Sequence, residues 1–299
     1  MNQQKILVTG ASGFVGWNLV PLLCEKGLAP VLIQNKTPLD FDAAEALPLD
    51  LTDAGYVIEA VDRIKPDAVI HCAALSNGKN CEEHPDQAQR QNVDATVHLL
   101  NALPEKTRFI FLSTDLVFDG LKGDYHEDDL PRPLSEYAAS KIRAENFIRE
   151  NAANAVIVRT ALVYGRDAPH YSCFLGWMHQ ACRQKQPLTL FTDEFRTPVH
   201  VLDLCGMLVR LIDSDFCGTL HIAGPQRLSR HEFGLKFCEA FDYDPELLNP
   251  LRLDETVQPV YHPPDVSLNI SLARRMFDFK PRDVQSGLEQ LKSVEESFK

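Results

Sequence analysis

Positive charge is what this chain has too little of. Thirty Lys and Arg face 42 Asp and Glu, a net charge of −12. That balance argues against nucleic acid or an anionic membrane surface as partner. No CxxC pair occurs among the eight cysteines, so neither a zinc site nor any other metal site is expected. Cys24, Cys72, Cys81, Cys173, Cys182, Cys205, Cys217 and Cys238 are scattered among mostly apolar neighbours and read as buried thiols of a reducing compartment. No apolar run is long enough to span a bilayer. Met1-Asn2-Gln3-Gln4 leads straight into an apolar run, so no signal peptide is expected and the location reads as cytoplasmic. Internal repeats and low-complexity segments are also missing.

What remains is an ordinary globular composition, 44% hydrophobic and 24% charged over 299 residues, enough for a substantial core. Its most informative stretch is Val8-Thr9-Gly10-Ala11-Ser12-Gly13-Phe14-Val15-Gly16. An apolar run, Lys5 to Val8, precedes it as a buried strand, and Trp17 to Leu23 follows with helical apolar spacing. Strand, glycine turn and helix form the context of a dinucleotide site. Gly10 suits a turn at positive φ, Gly13 leaves room for a pyrophosphate, and Gly16 lets the helix lie close to the strand. The helix start then offers free N–H groups to phosphate.

Downstream, apolar strands alternate with helices. Ala29–Gln34, Ala46–Leu49, Pro66–His71, Arg108–Leu112 and Val156–Arg159 read as strands, and helices are expected from Asp53, over Pro85–Leu103 and from Ser135. This alternation predicts a doubly wound parallel sheet covered on both faces. The second strand ends in Gln34-Asn35-Lys36, with no acid before Asp40 to bind ribose hydroxyls. Lys36 is suited to a 2′-phosphate, which favours NADP over NAD; a solvated loop lysine is the alternative. Asp50 sits at a strand's carboxyl end, where ligands of open α/β sheets bind. Cys72-Ala73-Ala74 are small enough to let a cofactor approach the backbone. Beyond Tyr164-Gly165 the pattern loosens into a mixed, proline-rich half, with Asp193–Pro198 read as a polar loop. Residues 1–165, with 197–223 returning to them, are expected to form the nucleotide-binding domain, and residues 166–196 and 224–299 a smaller mixed α/β substrate lobe.

Tyr137-Ala138-Ala139-Ser140-Lys141 puts a phenol and an ammonium four apart on one helical face. A free tyrosine has a pKa of about 10, too high for ready proton exchange near neutrality. An adjacent Lys⁺ is expected to lower it. Thr114, at the end of the fifth strand, is placed to hold a substrate carbonyl beside the phenol.

Thr9-Gly10-x-x-Gly13-x-x-Gly16, Asp50-x-x-Asp53, Cys72-Ala73-Ala74, Asn92-Val93, Ser113-Thr114-Asp115 and Tyr137-x-x-x-Lys141 together resemble the extended short-chain dehydrogenase/reductases. Within them the chain is most similar to the dTDP-4-dehydrorhamnose reductase family. That likeness rests on Gly13-Phe14-Val15-Gly16-Trp17, Ser113–Gly120, Arg159–Tyr164, Gly218–Gly224 and Ser229-Arg230-x-Glu232-Phe233. The resemblance implies a Rossmann-type fold and reduction of a keto group with NAD(P)H. Tyr137 is then the proton donor, Lys141 holds the nicotinamide ribose, and Thr114 orients the carbonyl. The cofactor would meet Gly10, Ser12, Gly13, Phe14, Val15, Gly16, Asn35, Lys36, Asp50, Leu51, Cys72, Ala73, Ala74, Asn92, Tyr137 and Lys141. Asp50 and Leu51 fall at the adenine. Asn92 supports the proton relay or the site's backbone, or else bonds its own local helix.

Arg196-Thr197-Pro198-Val199-His200-Val201-x-Asp203 resembles the segment whose arginine binds the diphosphate in related epimerases and dehydratases, chemistry that a guanidinium fork suits. The alternative is pairing with Asp193 or Glu194. One departure stands out. Where such reductases carry further arginines this chain reads Tyr261-His262-Pro263-Pro264-Asp265-Val266-Ser267, so His262 becomes the second substrate-binding candidate. His71 and His200 read as structural. The expected activity is therefore an NADP-preferring reductase of a 4-keto sugar nucleotide, as a possible homodimer. An epimerase or small-ketone reductase of the same fold, or an NADP-binding regulatory subunit without turnover, is the alternative.

Overall fold

A computed structural model describes residues 3–39, 41, 44–256 and 262–297. The chain runs β1 (Lys5–Thr9), α1 (Phe14–Glu25), β2 (Ala29–Gln34), β3 (Glu45–Pro48), α2 (Ala54–Ile64) and β4 (Ala68–His71). Then come α3 (Gly78–Glu83), α4 (Pro85–Ala88), a π-helical turn at Gln89–Asp94, α5 (Ala95–Ala102), β5 (Arg108–Thr114), α6 (Glu136–Asn151) and β6 (Ala155–Thr160). The second half holds β7 (Val163–Tyr164), α7 (Phe174–Arg183), β8 (Leu188–Phe191), β9 (Phe195–Arg196), β10 (Val199–His200) and α8 (Val201–Ile212). It continues through β11 (Gly218–Ile222), β12 (Leu228–Ser229), α9 (Arg230–Phe241), β13 (Leu248–Leu251), α10 (Ser271–Phe277) and α11 (Val284–Ser297).

Seven strands form one sheet in the order β11-β6-β5-β4-β1-β2-β3, and every pairing is parallel. The order reverses between β1 and β4, which opens a crevice beyond their carboxyl ends. Alternate strand residues feed opposite faces. Ile6, Val8 and Ile70 join the core beneath α1 and α8, whereas Leu7, Val69, Phe109 and Phe111 join the one beneath α2, α5 and α6. β11 extends the sheet beside β6, so the chain returns to the sheet after leaving it. Three short pairings, β7 with β10, β9 with β12 and β8 with β13, belong to the remaining half.

Two segments differ from their expected forms. Pro85–Leu103 is not one helix, because the π turn at Gln89–Asp94 interrupts it and brings Asn92 inward. Asp193–Pro198 is not a solvated loop. β9 pairs antiparallel with β12, and Glu194, Arg196 and Thr197 are buried. Their polar groups can leave water because Glu194 and Arg196 meet each other and the Thr197 hydroxyl accepts from the Leu268 amide. All eight cysteines are free; Cys217 is exposed and the others are buried or half-buried. Among the described residues no helix is long and apolar enough to cross a membrane.

A buried ion pair ties α6 to the sheet. Glu145, one helical turn beyond Lys141, accepts from Arg159 on β6 at 2.7 and 3.1 Å and from the Ser113 hydroxyl on β5 at 2.5 Å. Both charged side chains are essentially without solvent contact. Removing one partner leaves the other charge buried alone. Glu145→Ala should therefore lower the unfolding free energy by about 3–5 kcal/mol, seen as a lower urea midpoint. A loss below about 1 kcal/mol would show that the pair is not holding the helix.

Candidate active site

The crevice at the strands' carboxyl ends is a cleft of about 1020 Å³. It brings together Gly10, Ser12, Gly13, Phe14, Val15, Gly16, Asn35, Lys36, Asp50, Leu51, Cys72, Ala73, Ala74, Thr114, Tyr137, Lys141 and Arg196. Asn92 and His262 are not among its lining residues.

At the nucleotide end, Gly10 has φ +71°, and a Cβ there would sit 2.7 Å from the Ala73 nitrogen. A Cβ on Gly16 would lie 2.3 Å from the Gly10 carbonyl oxygen. Glycine at both places is thus steric necessity. α1 follows Gly13 at its N-cap, with no side-chain cap and no acidic residue in its first turn. Helices α2, α6 and α9 differ, being capped by Asp53, Ser135 and Ser229. Only α1 among these four leaves its first N–H groups and its positive dipole end for an external anion. That open start fits a dinucleotide pyrophosphate.

Asn35 and Lys36 are exposed at the end of β2, while Asp40 lies outside the described residues. Asp50 accepts from the Thr52 amide at 2.9 Å and its hydroxyl at 2.8 Å, which holds its carboxyl below the usual range, with Lys36 adding to the effect. The carboxylate therefore shapes the turn that presents Leu51. His71 spans Thr9 at 2.6 Å and Thr96 at 3.0 Å. Burial pushes its pKa down to about 3, so it is a neutral strut. His200 caps α8 by accepting from the Leu202 amide.

Asn92 acts behind the cleft wall. Its carboxamide accepts from the Leu75 amide at 2.7 Å and donates to the Leu75 carbonyl at 3.1 Å and to Ser140 Oγ at 2.8 Å. Ser140 in turn donates to the Tyr137 carbonyl at 2.6 Å. The π turn thereby braces the backbone that carries the phenol, a common use of π-bulges at functional sites.

At the other end of the cleft, the Thr114 hydroxyl donates to Asp115 Oδ1 at 3.1 Å and caps the Leu116 amide, and the Tyr137 phenol lines the same cleft. Contrary to expectation, the Tyr137 pKa is raised. Burial is the main cause and the nearby Asp115 carboxyl adds to it, while hydrogen bonding to Thr114 opposes both. Lys141 does not offset this, because its ammonium sits 3.9 Å from the Phe111 ring centre and is itself desolvated, with a pKa lowered to about 8. Burial also pushes Asp115 up to about 6, and its Oδ2 has no hydrogen-bond partner among the described residues.

Arg196 lines the cleft but is already engaged. It is 3% exposed, meets Glu194 at 2.8 Å, and donates to the carbonyls of Phe195 at 2.7 Å and Pro263 at 3.0 Å. His262 lies on the far side of the same carboxylate, with Nδ1 3.3 Å from Glu194 Oε2. Arg230, Tyr171, Phe174, Gln87, Arg90 and Gln91 also line the cleft and were not expected there. In the sequence, Ser229-Arg230-x-Glu232-Phe233 contributes to the family likeness and Ser229 to a helix start, which its capping box confirms, but neither marks Arg230 as a cleft residue.

Comparison with known proteins matches this arrangement. The family model for the RmlD substrate binding domain matches residues 4–296. The chain is 32% identical over 268 residues to the "Probable low-salt glycan biosynthesis reductase Agl14" of Haloferax volcanii, covering 88% of this chain and 89% of that protein. It is 27% identical to the bovine methionine adenosyltransferase 2 subunit beta, over 90% of this chain and 81% of that one. It is 26% identical to dTDP-4-dehydrorhamnose reductase of Aggregatibacter actinomycetemcomitans, over 98% and 99%. Among solved structures, dTDP-4-dehydrorhamnose reductase of Bacillus anthracis in complex with NADP shares the fold, with a TM-score of 0.85, 24% identity and coverage of 98% and 100%. MoeE5 in complex with UDP-glucose and NAD gives a TM-score of 0.82 at 25% identity, covering 99% and 100%. Sequence, sheet order and cleft agree: the chain belongs to the RmlD substrate-binding-domain family, among the NAD(P)-dependent oxidoreductases of the extended short-chain dehydrogenase/reductase type.

Proposed function

We propose that this protein reduces the keto group of a 4-keto sugar nucleotide, with NADP(H) as its preferred cofactor. The observation that carries the reading is the meeting of an uncapped helix start and the Thr114–Tyr137–Lys141 trio on one cleft. The named activities of the reductase relatives, and the UDP-glucose bound to MoeE5, support a sugar-nucleotide substrate.

A bound nicotinamide supplies hydride to the carbonyl carbon. The remaining work falls to side chains of this chain. Thr114 orients the carbonyl oxygen, and Tyr137 donates a proton to that oxygen as negative charge develops on it. A phenol whose pKa is raised stays protonated in the resting cleft, as a donor must. Lys141, whose pKa of about 8 leaves it mostly ammonium at neutral pH, supplies positive charge to this end of the cleft. Asn92 and Ser140 hold the phenol's backbone, and Glu145 holds the turn of α6 beyond Lys141. One relative is named as a subunit of another enzyme, and the competing reading is accordingly a chain that binds NADP as a regulatory subunit without turnover.

Tyr137→Phe keeps the ring and removes the proton. Turnover should fall about 10²–10⁴-fold with NADPH affinity little changed. Near-normal turnover would show that the acid lies elsewhere; tight NADPH binding by the wild type with no turnover of any keto-sugar nucleotide would favour the regulatory reading.

Lys36, with no acid after β2 before Asp40, should make NADPH bind more tightly than NADH, and Lys36→Ala should narrow the gap. Calorimetric titration with both cofactors measures this. Equal affinities in the wild type would remove the basis for the preference.

Lys141 has a pKa of about 8 before cofactor binds, and a polyanionic cofactor should raise it. The contribution of the ammonium to binding is then full below pH 8 and is lost as pH rises through 8 towards the bound-state value. NADP should accordingly bind with proton uptake at pH 8 to 9, seen by calorimetry in buffers of different ionisation enthalpy. Proton release, or none, would contradict this.

A further inference from the structure

The cleft wall carries a charge cluster that the reduction step does not use. Glu194 is 1% exposed, and three basic side chains converge on it. Its Oε1 meets Arg196 at 2.8 Å and Arg230 at 3.0 and 3.1 Å, and its Oε2 faces His262. Burial works to raise its pKa, but Arg230 foremost, then His262 and Arg196, hold the carboxyl well below the usual range.

The two arginines differ in what they have left to offer. Arg196 gives Nη1 to two backbone carbonyls and Nη2 to Glu194, and its Nε lies 3.8 Å from Asp115 Oδ2. It is a strut linking β9, the segment at Pro263 and Glu194. Arg230 gives Nε and Nη2 to Glu194 and lies over the Phe174 ring, 4.9 Å from its centre. Its Nη1 is buried with no hydrogen-bond partner among the described residues. Arg230 also keeps more contact with the cleft, its side chain being 19% exposed against 4% for Arg196. A buried guanidinium nitrogen without an acceptor is costly, and an anionic oxygen is the partner that suits it best.

We propose that Arg230, and not the motif arginine Arg196, anchors a phosphate of the substrate at this wall. Glu194 holds the Arg230 fork in place through two of its nitrogens and leaves the third for the ligand. Arg196 holds Glu194. The inference rests on the sugar-nucleotide reading above and names the residue that would grip that substrate.

Calorimetric titration of the NADP-loaded protein with dTDP and with UDP tests it. Arg230→Gln should weaken binding of the nucleoside diphosphate tenfold or more while leaving NADPH affinity and thymidine binding unchanged. Arg196→Gln should chiefly lower the melting temperature. Unchanged dTDP and UDP affinity in Arg230→Gln, with loss in Arg196→Gln, would overturn the proposal and return the role to the motif arginine. Should the glutamine variant fail to fold, Arg230→Lys carries the test: it keeps the charge but loses the fork, so binding should still fall several-fold, and full affinity would count against the proposal. If the wild type binds neither dTDP nor UDP, the sugar-nucleotide reading itself fails and this inference falls with it.

Discussion

The close passage of Gly16 over the Gly10 carbonyl is the contact on which the remainder depends. A methyl group at Gly16 would overlap that oxygen at 2.3 Å. Because none is there, α1 starts directly above the end of β1, at the point where the strand order reverses. Its uncapped N–H groups then face the crevice instead of a side chain of their own. Every other feature of the cleft is placed relative to that helix start. Ala73 follows β4 against Gly10, β5 ends in Thr114, and α6 brings up Tyr137 and Lys141.

The ionisable groups in and around the cleft fall into two sets. Lys141 and Tyr137 are both desolvated, and each is pushed towards its neutral form. Asp115 is pushed the same way. Against this, Glu145 and Glu194 stay ionised because arginines surround them. The charges of Glu145 and Glu194 are thus satisfied within the protein, while at Tyr137, Lys141 and Asp115 burial outweighs the partners present. Preorganised groups of that kind are how a water-excluding site stabilises charge that develops during reaction.

The fold was largely legible in the sequence, since hydrophobic alternation and the glycine turn depend on local residues. Ala29–Gln34 and the helix starts at Asp53, Ser135 and Ser229 stand where local pattern and capping chemistry put them. The π turn at Asn92 was not legible, because the side chain it turns inward bonds Ser140, 48 residues away. The polar run Asp193–Pro198 misled for a similar reason: charges that look solvated are buried once Glu194 finds Arg230 and Arg196 finds the Pro263 carbonyl. The direction of the Tyr137 shift was missed because spacing places Lys141 nearby but says nothing of burial. Local pattern therefore yields elements and motif residues, and long-range pairing decides what each charged side chain is free to do.

Hydride transfer to a keto carbon is the reaction proposed for the Thr114–Tyr137 end of the cleft. The most direct measurement is incubation with NADPH carrying deuterium at both nicotinamide C4 positions and a nucleotide 4-keto-sugar, followed by mass and NMR analysis of the product. One deuterium on the former carbonyl carbon, with stoichiometric NADP formation, is the predicted result. Saturable NADPH binding with no deuterium in any keto-sugar nucleotide offered would contradict the account.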